Sequence, residues 1–171
     1  SKLQNSIYSS LRSEIRTNLT SEQERLIYGL DSFEAPYLQE KLLEDGKFET
    51  SEGFRTAFTE FKKYVALTRL SGEDNLEMSS QTVDEVWHQF ILFTPQYHKF
   101  CEEILGKYLH HLPTTSLTRR EKGSKDFRQI YEEVFENIPR LWEDTSLCVQ
   151  PTPHPDRCNS PGEDFCSKLQ S

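Results

Sequence analysis

Residues 82–113, TVDEVWHQFILFTPQYHKFCEEILGKYLHHLP, decide the fold that the sequence predicts. From Val83 onward, apolar side chains recur every three to four residues, which is the spacing of one buried helix face. Thr94 followed by Pro95 indicates the start of a second helix, because proline in the first turn loses no hydrogen bond. Gly106 indicates its end. The stretch therefore predicts two helices joined at Thr94 as a hairpin at the centre of the protein.

The rest of the chain also has helical spacing, most clearly over residues 54–68, where Lys62, Lys63 and Arg55 are expected on the polar face. At the start of the central stretch, Thr82 has the spacing of a capping box with Glu85, three residues on. That spacing predicts that the first central helix begins at Thr82.

The sequence after residue 144 changes character, because prolines alternate there with polar residues and cysteines without any period. Nothing in the chain indicates a β-sheet. We therefore predict an all-α single domain, a bundle of about five to seven helices, over residues 1–144. An irregular Pro- and Cys-containing tail is predicted over residues 145–171.

The charge balance limits the kinds of partner. The net charge is -8, with 28 acidic and 20 basic residues, and this argues against general nucleic-acid binding, which needs clustered positive charge. No apolar run reaches the 18 residues of a membrane span. We expect a protein partner and a cytoplasmic location. The chain begins at Ser1 and shows no secretory signal, and an upstream segment is left open.

The central stretch offers a first group of metal ligands. Asp84 and His88 are four residues apart, so they share a helix face, and a carboxylate that accepts from one imidazole nitrogen makes the other a better ligand. The alternative is an acid favoured by the helix dipole beside a histidine in an ordinary polar contact. Cys101 falls on an apolar stripe, where a thiol usually acts as a small buried hydrophobe. The candidate ligands are Asp84, His88, His98, Cys101, His110 and His111.

The tail contains a second candidate group, which consists of Cys148, His154, Cys158 and Cys166. It has no C-x-x-C spacing, and this weakens zinc-ribbon and thioredoxin-like interpretations. The three thiols could form one disulfide with one left over, bind a metal with the histidine, or remain reduced. Whether the protein lies in an oxidising or a reducing compartment decides among these alternatives.

The central motif resembles that of the glycine-rich-domain-containing protein family, whose pattern runs VD-x-x-WH-x-H-x-L-x-T-x-x-Y, then Cys, Gly and HH-x-P. The matching residues are Val83, Asp84, Trp87, His88, Leu92, Thr94, Tyr97, Cys101, Gly106, His110, His111 and Pro113. The chain has Phe90 where the family often has a second histidine. The resemblance covers roughly residues 54–142. It implies a helical domain and supplies no reaction.

Two functions follow as hypotheses. The first is a non-enzymatic interaction module, whose Trp-His centre is mainly structural and whose tail engages a partner or a metal. The alternative is a metal-dependent enzyme, in which Asp84 orients His88 and an open position binds water. In that enzyme, His98, Cys101 and His111 complete the ligands of zinc or another transition metal. The sequence assigns no catalytic residue and no other cofactor.

Overall fold

The structure is a computed structural model that describes residues 10–73, 76–112 and 126–143. Within these ranges every regular element is helical, which confirms the predicted all-α single-domain bundle. The α-helices are α1 Leu11–Glu14, α2 Ser21–Ser32, α3 Pro36–Glu44, α4 Ser51–Leu70, α5 Gln81–Leu92, α6 Thr94–Phe100 and α7 Phe127–Phe135. A π-helical turn, Cys101–Leu105, continues α6, and a 3-10 turn, Arg140–Trp142, follows α7. None of the described helices is long and apolar enough to cross a lipid bilayer.

Helix α4 is the centre of the bundle, because α2, α3, α5 and α7 all pack against it. Its 20 residues make it roughly 30 Å long. Phe61, in the middle of α4, is fully buried and lies against Trp87 and Phe90 of α5 and Phe100 of α6. Large aromatic rings therefore fill the space between α4 and the central hairpin, as the high aromatic content requires.

The predicted hairpin joins α5 to α6 at Phe93, which ends the first helix and caps the second. The Thr94-Pro95 pair places Thr94 as the N-cap of the second helix, whereas Thr94 is the first residue of α6 and Phe93 is the cap. Pro95 lies in the first turn of α6, where its missing amide proton costs no helical hydrogen bond. The two helices that carry Asp84, His88 and His98 are therefore directly connected.

The start of α5 differs from the prediction. Ser80, rather than Thr82, is the N-cap, and its hydroxyl accepts from the amide of Val83 at 3.2 Å. Ser80 is fully buried whereas Thr82 is exposed, so the serine hydroxyl satisfies an amide that water does not reach. Glu85 forms an ion pair with Lys47 at 3.2 Å instead of closing a capping box.

A buried polar network fixes α7 and the 3-10 turn to α4. One oxygen of Glu60 accepts from the hydroxyl of Tyr131 at 2.9 Å and from the indole nitrogen of Trp142 at 2.8 Å. Its other oxygen pairs with Lys63 at 3.0 Å, and Lys63 also reaches Glu14 at 3.2 Å. Lys63 is 6% exposed, so its expected place on a solvated polar face is wrong. Its buried charge is tolerated because two carboxylates compensate it.

Candidate metal centre

Three of the predicted ligands meet at one place. The possible ligand atoms of Asp84, His88 and His111 all lie within 4.8 Å of one another. Nε2 of His111 is 2.6 Å from Oδ1 of Asp84, and Nε2 of His88 is 3.4 Å from its Oδ2. The carboxylate thus lies between two imidazoles, with one oxygen directed to each of them.

Two different elements supply these side chains. Asp84 and His88 are on the first turns of α5, four residues apart, so both project from the same helix face. His111 comes from the extended segment that follows the hairpin. Its ring lies 4.3 Å from the ring of Trp87 and 4.5 Å from that of His88, measured between ring centroids. The indole therefore forms one wall of the cluster.

Gly106 makes the chain reversal that brings the histidine segment back to α5. It ends the π-helical turn with a φ of 73°, a left-handed conformation that glycine adopts without steric cost. Residues 107–112 form neither helix nor strand. The predicted helix end at Gly106 is confirmed.

Buried hydrogen bonds hold this returning segment. The indole nitrogen of Trp87 donates to the hydroxyl of Tyr97 at 3.0 Å, and that hydroxyl donates to the carbonyl oxygen of Leu109. We call these two hydrogen bonds the Trp87–Tyr97–Leu109 relay. Leu109 is two residues before His111, so the relay fixes the backbone from which the histidine projects. Sequence reasoning missed this role of Tyr97. The available signal was that a buried Trp and a buried Tyr each need a polar partner.

The thiol of Cys101 also helps to hold the segment that carries His111. Cys101 is 1% exposed, and burial raises the pKa of its thiol, although hydrogen bonds with the Leu109 backbone and the Tyr97 hydroxyl oppose that rise. The π-helical turn begins at Cys101. The thiol lies against the segment that carries His111 and is not part of the three-residue cluster.

The cluster lies at the border between core and solvent. The His111 side chain is 15% exposed, that of Asp84 27% and that of His88 53%. Two ligands are thus held by packing, while the third faces water.

The donor set fits a borderline transition metal. Imidazole nitrogens with one carboxylate oxygen are ligands of zinc, and two histidines with one carboxylate are also a common iron(II) set. In tetrahedral zinc, with bonds of about 2.0–2.1 Å, neighbouring donor atoms lie about 3.3–3.5 Å apart. The 3.4 Å between His88 and Asp84 matches that spacing. The 2.6 Å contact of His111 would lengthen by about 0.7–0.9 Å around such an ion.

The structure places the other predicted ligands elsewhere. Nε2 of His98 pairs with Glu102 at 3.2 Å on the exposed side of α6. The ring of His110 is exposed and lies 4.7 Å from that of Tyr108. Neither belongs to the cluster. The second candidate group, Cys148, His154, Cys158 and Cys166, lies outside the described residues, as does Pro113 of the central motif.

Phe90 lies where the motif resemblance would place a second histidine, and it is fully buried among the rings of Phe33, Phe61, Tyr97 and Phe100. It is two residues beyond His88, which places it about 200° away around the helix. A ligand at this position would face the core. Its replacement by phenylalanine therefore removes nothing from the three-residue cluster.

Comparison with known proteins gives one match, to a family model described as UCP032817-like. It covers residues 23–139, more than half of the chain, from the first turn of α2 to the residue before the 3-10 turn. The cluster lies inside this range. No curated protein and no solved structure matches the chain.

Proposed function

The chain belongs to the UCP032817-like family, and we propose that it is a helical binding module that holds one transition-metal ion. In this proposal Asp84, His88 and His111 are the ligands, and zinc fits the donor set best. One observation carries the proposal: residues 27 positions apart bring two imidazoles to the two oxygens of one carboxylate.

The supporting residues strengthen the proposal, because ligand positions in metal sites are normally fixed by a surrounding shell. The frame consists of Trp87, Tyr97, Cys101 and Gly106, all of which belong to the motif that resembles glycine-rich-domain-containing proteins. We propose that the role of these motif residues in this chain is structural: they hold His111 in contact with Asp84. A protein partner, a cytoplasmic location and a domain boundary at residue 144 stay predictions.

A metal-dependent enzyme is the second candidate, and the number of ligands favours it. Catalytic zinc sites have three protein ligands and leave a position open to water, whereas structural sites are closed by four. The exposed ring of His88 leaves this side of the cluster open to solvent. A zinc-bound water at this position would be a nucleophile at neutral pH.

The test is elemental analysis of purified, tag-free protein grown with zinc, beside two histidine variants. His88→Gln removes a ligand from the cluster, and His98→Gln is the matched control, since His98 is also an exposed histidine with a carboxylate four residues away. We expect near-stoichiometric zinc in wild type and in the control, and loss of zinc in His88→Gln. Equal zinc in the two variants would place any metal elsewhere and contradict the proposal.

Hydrolysis of 4-nitrophenyl acetate by the zinc-loaded protein separates the two candidates. The enzyme candidate requires turnover that is lost in His88→Gln and kept in His98→Gln. Zinc binding with no such difference would leave the binding module as the function of this site.

A further inference from the structure

A cleft of about 520 Å³ lies between the corner that joins α2 to α3 and one face of α4. This volume falls within the roughly 300–1,000 Å³ of typical small-molecule sites. None of the three cluster residues lines the cleft. It is therefore a feature separate from the candidate metal centre.

Aromatic rings form the apolar part of the cleft. The rings of Phe54 and Phe58 on α4 are stacked with centroids 5.4 Å apart, and Phe33 from the end of α2 lies 6.0 Å from Phe58. Phe54 and Phe58 are largely buried, but both contribute to the wall. They offer a surface on which a flat or branched apolar group can pack.

A lysine with few partners stands beside these rings. Nζ of Lys62 lies 5.1 Å from the ring centroid of Phe58 and has one long contact, 3.5 Å, with the carbonyl oxygen of Asp31. An ammonium group has three hydrogens to donate, so two of them find no acceptor among the described residues. Burial also lowers the pKa of Lys62, although Asp31 and Glu34 oppose that shift. An anion in the cleft would compensate this partly desolvated charge.

Two further polar groups lie on the same side of α4. Arg55 and Thr59 precede Lys62 by seven and three residues, so all three share one helix face, and all three line the cleft. Arg55 forms no ion pair within the described part of the chain. Glu34 is the one carboxylate residue of the lining. Two cations and one carboxylate line the cleft, and Asp31 outside the lining also acts on Lys62, so there is too little positive charge for a polyanion and a monoanion is the better match.

We propose that this cleft binds a small organic monoanion, a carboxylate that carries an aromatic or branched apolar body. The carboxylate lies between Lys62 and Arg55, and the body packs on Phe54 and Phe58. The charge of Glu34 disfavours a second negative group on the ligand. The cleft thus recognises one charge and one apolar surface together.

The test is a titration of the 15N-labelled full chain with 3-phenylpropionate, followed by amide chemical shifts. The neutral 3-phenylpropionamide, which has the same body without the charge, is the matched ligand. We expect saturable shifts at residues 33–39 and 54–62, and at least tenfold weaker binding of the amide. Absence of saturable shifts with 10 mM carboxylate, or equal affinity for the two ligands, would overturn the proposal.

Three variants locate the charge that is recognised. Lys62→Met keeps an apolar stem of similar length, and we expect it to weaken carboxylate binding at least tenfold; Arg55→Gln should weaken it about threefold to tenfold. Arg25→Gln, on exposed α2 surface outside the cleft, is the control and should leave affinity within twofold. Unchanged affinity in both cleft variants would overturn the proposal. His88→Gln should bind the carboxylate like wild type, because the cleft and the metal cluster share no residue.

Discussion

The hydroxyl of Tyr97 donates a hydrogen bond to the carbonyl oxygen of Leu109, while it accepts one from the indole of Trp87. This contact joins α5, α6 and the returning segment at a single buried atom. It explains how a histidine outside any helix is held against a carboxylate on α5. The geometry of the cluster thus depends on residues outside the cluster itself.

Tyr97→Phe tests this support. The substitution keeps the ring but leaves the indole N–H of Trp87 and the carbonyl of Leu109 without their buried partner. Each unsatisfied group costs about 1–3 kcal/mol, so we expect the free energy of unfolding in urea to fall by about 2–4 kcal/mol. Tyr28→Phe is the control, because Tyr28 is 75% exposed, and it should change stability by less than about 0.5 kcal/mol. Equal effects of the two substitutions would contradict the relay.

Asp84→Asn tests the shared carboxylate. An ion that binds only the folded state stabilises it by about 2.7 kcal/mol when present at 100 times its dissociation constant. We therefore expect zinc to raise the Tm of wild type and to leave that of Asp84→Asn unchanged. Glu85→Gln is the control on the neighbouring acid, which pairs with Lys47, and should keep the zinc-induced rise. A rise of similar size in Asp84→Asn would count against the carboxylate as a ligand.

Glu60→Gln tests the buried network. The amide oxygen can still accept from Tyr131 and Trp142, but the amide cannot neutralise Lys63, whose side chain is 8% exposed. Breaking a buried ion pair costs about 3–5 kcal/mol when the remaining charge is uncompensated, and here Glu14 keeps part of the compensation. We therefore expect a loss toward the lower end of that range in chemical unfolding. Glu40→Gln, on the exposed side of α3, is the control and should leave the free energy of unfolding almost unchanged. A decrease below about 1 kcal/mol in Glu60→Gln would show that the charge of Lys63 does not depend on Glu60.

Lys62→Met should change the pH dependence of stability. Burial lowers the pKa of Lys62 in the folded state, so between that value and the ordinary pKa of about 10.4 the unfolded state binds more protons. The free energy of unfolding therefore rises with pH across this window, and below it the cost of burying the charge is fully present. We expect Lys62→Met to be more stable than wild type at pH 7, with an advantage that shrinks toward pH 10.

Thermal or urea unfolding of both proteins at several pH values between 7 and 10.5 measures this difference. Lys99→Met, an exposed lysine on α6, is the surface control. A Lys62→Met advantage that grew with pH would have the wrong sign for a buried ammonium.

Helical spacing predicts the bundle well because each helix buries one face, and a buried face is visible in the sequence as a period. Helix ends are less predictable. Ser80 caps α5 because tertiary packing buries it, whereas Thr82 has the better local pattern and is exposed. For the same reason the spacing predicts Lys63 in solvent: only the packing of α1 and α7 buries it and adds Glu14 and Tyr131 to its partner Glu60 on α4.

The site could be predicted only in part. Asp84 and His88 are neighbours because four residues make about one helical turn. The arrival of His111 requires a chain reversal at Gly106 and a hydrogen bond from Tyr97 to Leu109, which local spacing does not encode. The sequence offers both His110 and His111 as candidate ligands, but adjacent side chains point different ways, and the backbone held at Leu109 presents only His111 to the cluster.

That pair of histidines allows the most direct measurement. Zinc is titrated calorimetrically into the metal-free full chain, into His111→Asn and into His110→Asn, which alters the neighbouring exposed ring. We expect one strong site in wild type and in His110→Asn, and at least a hundredfold weaker binding in His111→Asn. Equal binding by the two variants, or no zinc binding by wild type, would contradict a metal centre built from Asp84, His88 and His111.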